Sequence, residues 1–146
     1  MFEETIKATG QLEVLLKDAF GNVKERRFVK NLVVTVGKNL IASRLVNAAE
    51  AVPSHMAIGD DNTAAAAGQT TLSNELARVA LGGTARTNNT ITYSATFPDT
   101  VGTGVIVEAG IFNATPAGVM LCRTVFAEVN KEASDVLTIN WNVTIA

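Results

Sequence analysis

The chain has a single cysteine, a single histidine and only three prolines, and aromatic residues make up 5% of it. Each scarcity removes a class of explanation. One thiol, Cys122, cannot close an internal disulfide, so stability must come from packing or assembly. His55 has no second histidine or nearby cysteine to share a metal with, and a structural or surface role is expected for it. The motifs GxSxG, the P-loop, HExxH and paired CxxC are all missing. Gly102-Thr103-Gly104 is too short to cradle a phosphate and reads as turn glycines. Asp60-Asp61-Asn62 offers oxygen ligands of the kind calcium takes, but no carboxylate follows between Thr63 and Leu72, so an Asx turn is expected instead. The expectation is a protein that is not an enzyme, with no catalytic residues, no cofactor and no metal.

Charge is scarce too. Charged residues are 18% of the chain, against roughly 25% in soluble domains. A formal net charge of −2 does not suit phosphate neutralisation, so no nucleic-acid partner is expected. Mean hydropathy is +0.23, yet no apolar run approaches the roughly 18 residues of a membrane helix, and no membrane partner is expected. The opening MFEETIK has no apolar core of a signal peptide. With 146 residues the chain has the size of one domain, 1–146, able to bury a core without staples. Low charge then points to a surface hidden against other proteins, or to a β-domain with a Thr/Asn-rich exterior.

What is present is strand pattern. Leu137, Ile139, Trp141, Val143 and Ile145 alternate with Thr138, Asn140, Asn142 and Thr144, which gives a strand one dry face and one face of amides and hydroxyls. Ile91, Tyr93, Ala95 and Phe97 alternate in the same way. Near the start, two strand-like runs flank the turn signal Asp18-Ala19-Phe20-Gly21-Asn22, which predicts a hairpin. Residues 1–30 are read as this hairpin or a docking arm, with Phe20, Arg26, Arg27 and Phe28 as candidates for partner contact. After Gly37 the period changes: Leu40, Ile41, Arg44, Leu45 and Ala48 recur at helical spacing, predicting one short amphipathic helix over 38–49. Ser73 is expected to open a single helical turn in which Glu75 and Arg78 meet.

From Val105 to Ile145 the expectation is a three-strand meander in the middle of the sheet. Its core residues are Phe112, Phe126, Ile139, Trp141 and Val143. Glu108 lies on an apolar strand, on the side read as that of Ile106 and Phe112, and a carboxylate there needs a cation. Arg78 and Arg123 are the candidates. The fold class is mainly β: an antiparallel sandwich or flattened barrel of about seven to nine strands with the one helix.

The strings NLVVTVGKNLIASRL, HMAIGDDNTAAAAGQTTLSNELARVAL, VIVEAGIFNATPAGVMLCRTVF and DVLTINWNVTI resemble a group of small β-rich virion proteins of tailed bacteriophages. The resemblance runs from about Asn31 onward. Its ordered features are an IG turn, a T-x-L-x-x-E-x-x-R segment (Thr70, Leu72, Glu75, Arg78), the EAGIF strand (Glu108 to Phe112) and the final alternating strand. It implies a structural component of the virion, assembled in the host cytoplasm, with other virion proteins as partners and a homo-oligomeric state. The first reading is a head decoration (cement) protein on the major capsid protein; the alternative is a tail, baseplate or fibre-attachment subunit. A sugar-binding sandwich is a third reading, disfavoured by the few aromatics and by Trp141 falling on a dry face.

Overall fold

The computed structural model describes residues 4–47 and 50–146. In chain order the elements are β1 (Ala8–Lys17), β2 (Val23–Val33), α1 (Thr35–Leu45), β3 (His55–Gly59), β4 (Glu75–Ala80), β5 (Gly83–Thr87), β6 (Thr90–Phe97), β7 (Gly104–Phe112), β8 (Met120–Lys131) and β9 (Val136–Ile145). Among the described residues the nine strands form one sheet in the order β4-β3-β7-β8-β2-β1-β9-β6-β5. Every pairing is antiparallel. The two sheet ends are adjacent in sequence: Leu81 donates its N–H to the Ser54 carbonyl on one side and Gly82 to the Ser94 carbonyl on the other. That short corner draws β4 and β5 together and curls the sheet into a half-barrel.

The alternating strands supply the interior. Leu137, Ile139 and Trp141 of β9 face Leu16, Val14 and Leu12 of β1 on one side and Phe97, Ala95 and Tyr93 of β6 on the other. All nine are buried, as are Val143, Phe112 and Phe126. Each large side chain removed from water in this way contributes roughly 1.5–3 kcal/mol. Trp141 thus lies in the core, where it cannot serve as a platform for a sugar. The opposite face of β6 and β9 carries a ladder of uncharged pairs, including Thr90–Thr144 (3.0 Å), Thr92–Asn142 (2.8 Å) and Ser94–Asn140 (2.9 Å).

Four expectations are corrected. The run from Val105 to Ile145 is not a meander: β7 and β8 pair, but the β1–β2 hairpin is inserted between β8 and β9. The alternation of β9 fixes its dry face and is silent on which strands lie beside it. The segment from Ser73 to Arg78 forms no helical turn; Glu75–Ala80 is strand β4, paired along β3. A register shift between Ile106 and Glu108 puts those two residues on opposite faces, so Ile106 enters the main core while Glu108 does not. Finally, the helix spans Thr35–Leu45, and Ala48 and Ala49 lie outside the described residues. Among the described apolar residues of its predicted face, only Leu40 is fully buried, Ile41 is half-buried, and Leu45 remains 84% exposed.

The helix sits where it does because of Gly37. A Cβ there would overlap the Leu121 backbone carbonyl of β8, so the absence of a side chain sets how closely α1 approaches the sheet. Gly37→Ala should therefore cost about 1–3 kcal/mol despite alanine's better helix propensity, because the obstacle is backbone that cannot rotate away. Urea unfolding reads this directly; an unchanged midpoint would mean the contact relaxes freely.

Candidate functional site

The most densely bonded of the buried polar side chains are a pair on neighbouring strands. Glu108 of β7 and Arg123 of β8 are both fully buried, and Arg123 Nη2 lies 2.6 Å from Glu108 Oε2. The pair does not stand alone. Glu108 accepts the backbone N–H groups of Ser73 (3.0 Å) and Asn74 (2.8 Å). Arg123 donates to the Thr63 carbonyl (2.8 Å), Gln69 Oε1 (3.0 Å) and Ser73 Oγ (3.1 Å). A buried carboxylate and guanidinium are tolerable only when both are paired and their remaining lone pairs and protons satisfied. Here the chain's longest connection, 60–74, provides that satisfaction. Gly59 leaves room for the carboxylate, since a Cβ there would overlap Glu108 Oε1. Leu72 is 5% exposed and packs with Phe112 and Ala57 in a small second core.

Arg78 does not reach Glu108. Its guanidinium pairs with Glu75 (Nη2 to Oε1 2.6 Å, Nε to Oε2 3.0 Å) and lies 3.8 Å from the centre of the Phe112 ring. Nη1 donates to the carbonyls of Ala114 (2.8 Å) and Ala117 (2.5 Å), which clasps the connection between β7 and β8. Leu72, Glu75 and Arg78 of the T-x-L-x-x-E-x-x-R segment and Glu108 and Phe112 of EAGIF therefore hold two loops against the sheet, while Ala109 and Ile111 enter the main core.

Sequence reasoning missed a second polar cluster. Lys24 of β2 reaches across to Asp135 (2.7 Å) and Glu132 (3.2 Å) in the turn between β8 and β9. No local pattern signals this contact between residues far apart in the chain. Asp135 is 1% exposed. The Lys24 ammonium holds its carboxyl below the ordinary value of 3.8, with the Glu132 amide adding to the effect and burial opposing it. Nearby, Lys131 is buried and donates to the Pro98 carbonyl at 2.9 Å, and burial pulls its pKa below the ordinary value.

Because the Asp135 pKa is depressed on folding, its contribution to stability is complete above about pH 4 and is lost as pH falls through the folded value. Lys24 is raised, chiefly by the same hydrogen bond, so its contribution is complete below 10.5 and is lost as pH rises through its folded value. Asp135→Asn should therefore lose stability at neutral pH and show a shallower decline below about pH 4 than the parent. Denaturant midpoints measured from pH 2 to 7 test this; parallel curves would contradict it.

Among the described residues, the most exposed aromatic side chains lie on the β1–β2 hairpin. Phe28 pairs with Glu13 across the hairpin and is 74% exposed, and Phe20 at the turn is 90% exposed. The turn is built by Asp18, whose carboxylate accepts the N–H groups of Phe20 and Asn22 at 2.9 Å each. Arg26 and Lys30 alternate with Phe28 on the same face, and Arg26 Nε lies 3.7 Å from Glu13. Arg27 points the other way, opposite the buried Val14, and pairs with Glu25 at 2.6 Å. Arg26, Phe28 and Phe20 are thus displayed outward, and Arg27 is not on their face.

Nothing described resembles a reaction centre. The Cys122 thiol is buried, which pushes its pKa upward and keeps it from acting as a thiolate. Burial also raises Tyr93, to about 12. His55 shares a 2.7 Å hydrogen bond with Ser54 Oγ. Asp61 accepts the Thr63 N–H (2.8 Å) and hydroxyl (2.5 Å) in an Asx turn. Among the described residues no group of three or more His, Cys, Asp or Glu side chains is placed to hold a metal. Among the described residues no helix is long and apolar enough to cross a membrane.

Comparison with known proteins gives one result of weight. A family model described as "Phage tail-collar fibre protein, N-terminal" matches residues 26–144, well over half of the chain. No curated protein and no solved structure matches. The match runs from within β2 to near the end of β9 and includes the Glu108–Arg123 and Arg78 contacts, while Lys24 lies just before it. The chain belongs to the phage tail-collar fibre protein N-terminal family and is a structural component of a tailed-phage virion.

Proposed function

We propose that this protein is a non-enzymatic structural subunit of the phage tail, joining fibre or collar to neighbouring tail proteins through protein–protein contact. The observation that carries the reading is the family match, which favours a tail position over the head-lattice position of a decoration protein. The surface supports contact with protein. The outward hairpin face offers an exposed Phe28 beside Arg26, the residue types that dominate interface energetics, next to the uncharged ladder of β6 and β9. The hairpin is firmly seated, because β1 pairs along its length with both β2 and β9, so docking on it costs little ordering. Repeated copies in an assembly would strengthen attachment through multivalency.

The reading is tested by separating tails from heads of disrupted virions and probing each with antibody to this chain. The subunit should follow the tails. Recovery with the heads would restore the decoration reading.

A further inference from the structure

The half-barrel has an apolar groove on its concave side that neither the loop-holding clusters nor the hairpin face uses. It measures about 660 Å³ and lies between α1 and the terminal strand β5. This is within the range of about 300–1,000 Å³ typical of ligand pockets. Its rim includes Leu45 and Val52, which are 84% and 55% exposed, so aliphatic surface is left uncovered there. The groove runs up to a free backbone edge. All five residues of β5 are exposed, and its outer side pairs with no strand among the described residues.

Edges left open in this way are normally blunted by very short strand length, proline, bulges or charged side chains. The opposite end of the sheet follows that rule: β4 carries Glu75 and Arg78, and its pairing with β3 has a register shift. Strand β5 is short but has no proline, its pairing with β6 is regular, and its single charge, Arg86, lines the groove. Register then dictates what an added strand would do. Thr84 pairs with Tyr93 and Arg86 with Ile91, and all four line the groove. Alternate side chains of a strand laid beside β5 would point to that same side and enter the groove.

Charge narrows the occupant. No acidic residue lines the groove, and Arg86 donates to the Asn88 carbonyl (2.8 Å) with no carboxylate paired to it among the described residues. We propose that β5 accepts an extended segment of a partner protein as a further strand of the sheet, a segment with aliphatic residues at alternate positions and a carboxylate level with Arg86. The backbone edge would supply affinity and the groove and Arg86 selectivity. The proposal is independent of where in the virion the subunit sits.

The probe is a capped seven-residue peptide of alternating valine and threonine with one glutamate on the valine face, followed by amide chemical shifts and hydrogen exchange. The peptide should shift and protect the amides of β5 and perturb Tyr93 and Val143. Replacing its glutamate by lysine should weaken binding about tenfold, and Arg86→Glu should reverse that preference. Four results would overturn the proposal. The first is no response of β5 at millimolar peptide; the second is equal binding of both peptides. The third is perturbation of the groove without protection of β5, as a small apolar molecule would give. The fourth is concentration-dependent protection of β5 in the protein alone, which would assign the edge to a second copy of this chain.

Discussion

Glu108→Ala should lower the free energy of unfolding by about 3–5 kcal/mol, because it leaves Arg123 charged, buried and without its carboxylate. Arg123→Ala should cost a similar amount and adds the loss of three donations to Thr63, Gln69 and Ser73. The two losses should not add: the double variant should be far less destabilised than their sum, since each single change already abolishes the same interaction. The location of the damage is equally specific. Hydrogen exchange of the Ser73 and Asn74 amides, which donate to Glu108, should accelerate well before that of β9. Substitutions away from such features usually stay within about 0.5 kcal/mol, so an effect that small for Glu108→Ala would dismiss the clamp.

The second large effect concerns assembly and not folding. A double variant, Phe28→Ser with Arg26→Ser, changes two outward side chains of the hairpin, so its unfolding midpoint should stay close to that of the parent. If that face meets a tail partner, the loss of an aromatic and an arginine should weaken attachment by about 2 kcal/mol or more. Tails assembled with an equal mixture of variant and parent chains should then contain mostly parent. Arg27→Ser is the control, since that side chain points to the opposite face beside Glu25. Equal incorporation of parent and double variant would remove the hairpin face from the docking surface.

These two predictions draw on different parts of what the sequence reveals. Local periodicity identifies the strands β6 and β9 and their dry faces, because an alternation of period two is written in consecutive residues. It does not reveal that β1 and β2 separate β8 from β9, since neighbours in a sheet are chosen by packing between distant segments. Glu108 is conspicuous as a lone carboxylate on an apolar strand. Its companions Ser73 and Asn74 act through backbone amides, which carry no residue-type signal, so the loop it secures could not be read. The helical reading of Ser73 to Arg78 fails for a related reason: Glu75 and Arg78 do meet, but on a strand held by β3. Arg26 and Arg27 look equivalent as neighbours in sequence, and only the register of β2 sends one outward and the other inward. The groove beside β5 has no sequence signature at all, being formed by α1, β5, β6 and β9 together.

The central proposal is that this β-scaffold serves the tail as an attachment subunit, with Leu72, Glu75, Arg78, Glu108 and Phe112 holding its loops. Locating the chain by cryo-electron microscopy of intact virions tests it most directly. The account predicts density fitting this half-barrel on the tail, with the Phe28 face against a neighbouring protein. Density for the same fold on the head lattice, with the tail empty of it, would contradict the account.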